Sequence, residues 1–150
     1  TWQTTDNKLV AVGDEEKNYL ILKQGEEWQN YKIETTIELK NLIGFSIFVH
    51  YQDNQNYYRI DFKPQKVELI KRKFGQFYKI YTHQTELLAG KYRLKIEVRE
   101  KQIKIFLDDF DKPRFVFWDK YPNLTSGTVG FKIEKDQRLI IETLRISKLD

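Results

Sequence analysis

Residues 43–68 read IGFSIFVHYQDNQNYYRIDFKPQKVE, and their alternation decides the fold. Two runs flank the polar loop QDNQN, and a third starts after Lys63-Pro64-Gln65. One side of these runs is apolar: Ile43, Phe45, Ile47 and Val49, then Tyr58, Ile60 and Phe62, then Val67 and Leu69. A strict period of two over such lengths predicts antiparallel strands with one buried face. The opposite side carries Ser46, Phe48, His50, Tyr57, Arg59, Asp61, Lys63 and Glu68. A merely solvated face holds Lys, Glu, Thr and Ser. This one mixes aromatics with His, Arg and carboxylates, which points to a binding surface.

The same period continues outward. Tyr31, Ile33, Thr35, Ile37 and Leu39 alternate with Lys32, Glu34, Thr36 and Glu38, and Tyr92, Leu94, Ile96 and Val98 alternate with charged residues before a hairpin turn at Glu100-Lys101. Trp2 to Val12 reads as extended chain with a turn at Asp6-Asn7, followed by a charged loop over Gly13 to Lys17. Tyr19-Leu20-Ile21-Leu22 is a short apolar run, read as a strand covered on both sides, and His83 to Leu88 is the one place where a helical turn is expected. Thr128 to Ile133 and Leu139 to Ile146 close the chain as strands. No amphipathic helical stretch separates strands, so a parallel βαβ sheet is excluded in favour of an antiparallel sandwich or barrel.

A chain of 150 residues with 40% hydrophobic and 15% aromatic content supplies one core without staples, and no segment divides it, so residues 1–150 are expected to form one domain cut from a larger protein. The absence of cysteine rules out disulfides and thiolate metal sites. No run approaches the roughly 20 apolar residues of a membrane-spanning helix. The net charge of +4 is spread among 22 acidic residues, and Lys71-Arg72-Lys73 reads as a solvated strand end, so nucleic acid is not the expected partner.

Phe48, His50, Tyr57, Arg59, Asp61 and Glu68 suit a sugar: rings stack on its C–H face, while Arg and carboxylates hydrogen-bond vicinal hydroxyls. The alternative is ordinary cross-strand pairing of Arg59 and Asp61, with Phe48 in a satellite core. Trp118, Tyr121 and the Phe115/Phe117 pair are either a stacking platform at the rim or core. Structural calcium is the one cofactor weighed. Asp109 and Asp111 lie in an oxygen-rich loop, as do Gly13 to Glu16, and Glu142 shares the parity of Leu144 and Ile146, so it needs a cation or a basic residue. With two histidines and no cysteine, zinc is disfavoured. No nucleophilic constellation assembles; Asp61 and Glu68, on adjacent strands, are a pair to weigh for glycosidase chemistry.

Several segments together resemble the concanavalin A-like lectin/glucanase superfamily: residues 28–34 (WQNYKIE), 48–53 (FVHYQD) with 56–59 (NYYR), 67–71, 90–98 (GKYRLKIEV), 103–109 (IKIFLDD), 127–131 (GTVGF) and 142–146 (ETLRI). Their order and spacing look like the laminin G-like and sugar-binding branch, including keto-disaccharide hydrolase-like domains and levan-type carbohydrate-binding modules. The resemblance covers nearly the whole chain. It implies an all-β, antiparallel jelly-roll sandwich of two curved sheets, with carbohydrate held on the concave one. The chain departs from the family at His50, where Arg is frequent, and lacks the alternating Glu/Asp cluster of the glucanases. The resulting expectation is a non-catalytic module that binds poly- or oligosaccharide, accessory to other domains of an extracellular or cell-surface bacterial protein. The alternatives are a structural or protein-interaction module and a glycoside-processing enzyme.

Overall fold

The computed structural model describes residues 2–14 and 18–149. Every regular element is a strand: β1 (Trp2–Thr5), β2 (Lys8–Val12), β3 (Tyr19–Ile21), β4 (Tyr31–Leu39), β5 (Phe45–Asp53), β6 (Asn56–Lys63), β7 (Lys66–Lys73), β8 (Gln76–Gln84), β9 (Gly90–Val98), β10 (Gln102–Leu107), β11 (Phe115–Trp118), β12 (Thr128–Ile133) and β13 (Arg138–Lys148). They form a seven-stranded sheet, β1-β2-β13-β4-β9-β10-β11, and a six-stranded sheet, β3-β12-β5-β6-β7-β8. All pairings are antiparallel. No helix among the described residues is long and apolar enough to cross a membrane.

The alternation places the core. Ile33, Ile37, Leu94, Ile96 and Ile105 from one sheet meet Ile47, Val49, Ile60, Leu69, Val129 and Phe131 from the other, all essentially sealed from water. Phe45 and Phe62, cross-strand partners on β5 and β6, stack with centroids 4.7 Å apart. Burying each such side chain contributes about 1.5–3 kcal/mol, the main force holding the sheets together.

The outer side of the seven-stranded sheet is a ladder of opposite charges. Lys32 faces Glu97, Glu34 faces Lys95 and Glu38 faces Lys91 across β4 and β9, a solvated pattern.

Several sequence expectations change. Residues 85–88 form no helical turn, and β8 runs through His83 to Gln84. β3 is an edge strand with an exposed Tyr19 rather than a doubly covered one. Glu15, Glu16 and Lys17 of the charged loop lie outside the described residues. Ile43 precedes β5 and is exposed.

Candidate functional site

The outer side of the six-stranded sheet has a different character. The two sheets account for every strand, so no third layer covers it among the described residues. Register sets its rows: Ser46, Asp61, Glu68 and Thr82 lie side by side across β5 to β8, and the next row brings Phe48, Arg59, Ile70 and Lys79 together. Beyond it Tyr57 faces Arg72, which faces Phe77.

Within these rows the polar groups are bound to one another. Arg59 clamps Asp61 in a bidentate pair, Nε to Oδ1 at 2.7 Å and Nη2 to Oδ2 at 3.0 Å. Ser46 donates its hydroxyl to the same Oδ1 at 2.7 Å. Burial works against the Arg59 charge, but the Asp61 carboxylate more than offsets it and holds the guanidinium above its ordinary pKa. Glu68 accepts from Thr82 at 3.0 Å and lies 3.5 Å from Lys66 and 3.6 Å from Lys79. Burial pushes its pKa upward; the hydroxyl and the two ammonium groups outweigh that and leave it below the usual carboxylate range.

The aromatics assemble beside this charged row. Phe48 meets the rings of Tyr51 and Tyr57 edge-on at 5.4 and 4.9 Å, and those two tyrosines stack at 5.6 Å. Phe48 and Tyr57 are thereby buried and act as support. Gly130 makes room for Phe48: a Cβ there would lie 2.4 Å from Ile21 Cδ1 and 3.2 Å from the Phe48 ring. Phe77 on this face is 56% exposed, with Arg72 Cζ 4.6 Å and Arg59 Cζ 5.9 Å from its centroid. Sequence reasoning missed Tyr51, Arg72 and Phe77. The parity of Phe77 with Lys79 was the available signal.

His50 does not share the face. The β5–β6 register breaks after Val49, and His50 takes φ = 44° there. This bulge turns its side chain inward and lets Tyr51 point outward. The imidazole is buried between Tyr31 and Tyr58, with Nδ1 3.0 Å from Leu124 O and Nε2 2.7 Å from Gln29 O. Burial lowers its pKa, and the two carbonyls only partly counter it. Gly127 (φ = 148°) packs on this bulge, where a Cβ would fall 2.3 Å from the His50 carbonyl carbon.

The weighed metal ligands find other partners. Glu142 sits at a bulge in β13, where the register shifts between Ile141 and Thr143, and its carboxylate meets Lys91 at 2.9 Å and Lys8 at 3.6 Å. Of the two partners considered for it, basic residues are the ones present. Asp109 accepts from the Asp111 backbone N–H at 2.9 Å in a tight turn, and both are exposed. No group of three or more acidic or imidazole side chains suited to a metal ion occurs among the described residues.

At the rim, Phe115 and Phe117 are core, whereas Trp118 and Tyr121 are exposed. Beside them lies an unforeseen buried ion pair. Lys71 Nζ donates to Asp119 Oδ2 at 2.7 Å and to Tyr121 O at 3.1 Å, and Tyr58 donates its hydroxyl to the same Oδ2 at 2.5 Å. Burial raises the Tyr58 pKa, reinforced by the Asp119 carboxylate. Asp119 itself is held below the usual carboxylate range: burial opposes ionisation, but Lys71 and Tyr58 prevail. Away from both sites, a cleft of about 460 Å³ opens between residues 27–31 and 146–149.

Comparison with known proteins identifies the architecture. No protein-family model and no curated protein matches the sequence. Solved structures do match. The carbohydrate-binding module CBM66 from Bacillus subtilis superposes with a TM-score of 0.75 at 20% identity, over 99% of this chain and 91% of that one. A galectin-like protein of unknown function from Bacillus subtilis gives 0.79 at 12% identity, over 98% and 86%. Sheep galectin-11, solved with glycerol, gives 0.63 at 16% identity, over 86% and 96%. The chain shares its two-sheet antiparallel β-sandwich fold with this carbohydrate-binding module and with galectins.

Proposed function

We propose that this domain is a non-catalytic carbohydrate-binding module, accessory to a larger extracellular protein, and that it binds sugar on the outer face of the six-stranded sheet. The observation that carries the reading is the Arg59–Asp61 clamp beside the Tyr51–Phe48–Tyr57 cluster on a face with no layer over it. A saccharide ring stacks on Phe77 and Tyr51 while its hydroxyls exchange hydrogen bonds with Arg59, Asp61 and Glu68. These groups are held by their neighbours before any ligand arrives, so little side-chain entropy is lost on binding. The solved structures of the same fold support this reading by analogy of fold alone.

The chemistry of the carboxylates favours binding over hydrolysis. Asp61 and Glu68 are cross-strand neighbours, which puts two carboxylates on one face as a glycosidase requires. A general acid needs a raised pKa, however, and Glu68 is held below its ordinary range, ionised at neutral pH. Asp61 is bound by Arg59 and Ser46.

Glycan arrays followed by titration calorimetry test the reading. Binding to at least one polysaccharide is expected, weakened at least tenfold by Arg59→Ala and by Phe77→Ala, without turnover of the bound glycan. An absence of binding across plant and bacterial polysaccharides, or indifference to both substitutions, overturns it.

A further inference from the structure

The charge balance of this face narrows the ligand. Arg59, Lys63, Lys66, Arg72 and Lys79 stand on the outer side of β6, β7 and β8 against Asp61 and Glu68 alone. Asp61 is matched by Arg59, and Glu68 is shared by Lys66 and Lys79. Arg72 is left over. Its Nε donates to Gly75 O at 3.3 Å and its Nη1 to Asn54 O at 2.6 Å, both neutral carbonyls, and it forms no ion pair among the described residues.

The position of Arg72 is fixed as well as unmatched. Its guanidinium lies over the Phe77 ring at 4.6 Å, and its register partner on β6 is Tyr57, which packs on Tyr51. A guanidinium tethered by two backbone carbonyls beside an aromatic ring keeps its remaining N–H groups in a fixed fork, the geometry that carboxylate and sulfate oxygens match. The cation therefore borders the aromatic surface on which a sugar ring would stack.

We propose that the ligand is an acidic saccharide, and that Arg72 binds the carboxylate or sulfate of a ring stacked against Phe77 and Tyr51. This rests on the carbohydrate reading of the same face and adds the class of sugar. An anionic group gains from the uncompensated cations in any orientation that reaches them, whereas a neutral sugar leaves Arg72 desolvated without a partner. Binding accordingly weakens as ionic strength rises.

The test is calorimetry against a panel of uronate- and sulfate-bearing oligosaccharides, each paired with its neutral counterpart of the same linkage. Carboxyl-reduced uronates serve as one arm and desulfated chains as the other, which separates the two sources of charge. At least tenfold tighter binding of an acidic member is expected, falling to the neutral level in Arg72→Gln and retained in part by Arg72→Lys. Circular dichroism confirms that both variants are folded. Equal affinity for acidic and neutral partners, or equal loss for both in Arg72→Gln, overturns the acidic assignment and leaves the carbohydrate reading standing. No binding by any member overturns both.

Discussion

Replacing Lys71 by Met isolates the cost of the buried ion pair at the rim of the sandwich. Both side chains are nearly sealed, 8% and 7% exposed for Lys71 and Asp119. The substitution preserves most of the aliphatic stem but removes the cation 2.7 Å from Asp119 Oδ2. Asp119 then keeps only two neutral donors, the Tyr58 hydroxyl at 2.5 Å and the Tyr121 N–H at 3.0 Å. A buried charge stripped of its partner typically costs about 3–5 kcal/mol. At about 2–4 °C per kcal/mol for a chain of this size, the melting temperature should fall by roughly 6–20 °C at pH 7. Adding Asp119→Asn removes the orphaned charge and should restore most of the loss.

The pH dependence gives a second readout. In the native protein Asp119 titrates below its ordinary value, so its contribution is present above the unfolded pKa and is lost as pH falls through the folded one. Without Lys71 the folded pKa rises, Asp119 takes up a proton more readily than in the unfolded chain, and the gap between variant and native protein closes in acid. Urea denaturation followed by tryptophan fluorescence measures both quantities. A loss under about 1 kcal/mol, or a double variant less stable than Lys71→Met alone, refutes the argument that burial makes this pair costly to break.

Two further predictions concern the bulge and the notch in the six-stranded sheet. His50 has its pKa lowered by burial, so folding favours the neutral ring; its contribution is complete above about pH 6.5 and is lost as pH falls through the folded value. The melting temperature should therefore drop between pH 7 and 5 in the native protein and drop less in His50→Asn, while a parallel dependence in the two removes His50 as the cause. Gly130→Ala forces a Cβ to 2.4 Å from Ile21 Cδ1 and 2.9 Å from Leu20 O, an overpacking that should cost about 1–3 kcal/mol and displace Phe48. Unchanged stability with unchanged Phe48 ring resonances counts against the notch.

How far the sequence was legible follows the regularity of the strands. Where alternation is unbroken, in β4, β6, β7 and β9, parity alone separates Ile60 and Leu69 from Arg59, Asp61 and Glu68. Parity fails at bulges, because one extra residue exchanges the two faces. His50 thus reads as outward from the Phe48 side but lies inside, and Glu142 reads as inward from Leu144 but meets Lys8 and Lys91. Lys71 is the opposite case. It continues the inward series Val67 and Leu69, and the charge run Lys71-Arg72-Lys73 hid that signal, since nothing in local sequence announces Asp119 across the sandwich. Arg72, the middle member of that run, was hidden in the same way.

The carbohydrate-binding face is tested most directly by nuclear magnetic resonance titration of the labelled domain with the glycan that an array selects. The account predicts saturable shifts concentrated at Tyr51, Arg59, Asp61, Glu68, Arg72 and Phe77, with the outer face of the seven-stranded sheet unmoved. Shifts confined to the cleft between residues 27–31 and 146–149, or to the charged ladder of β4 and β9, would contradict it.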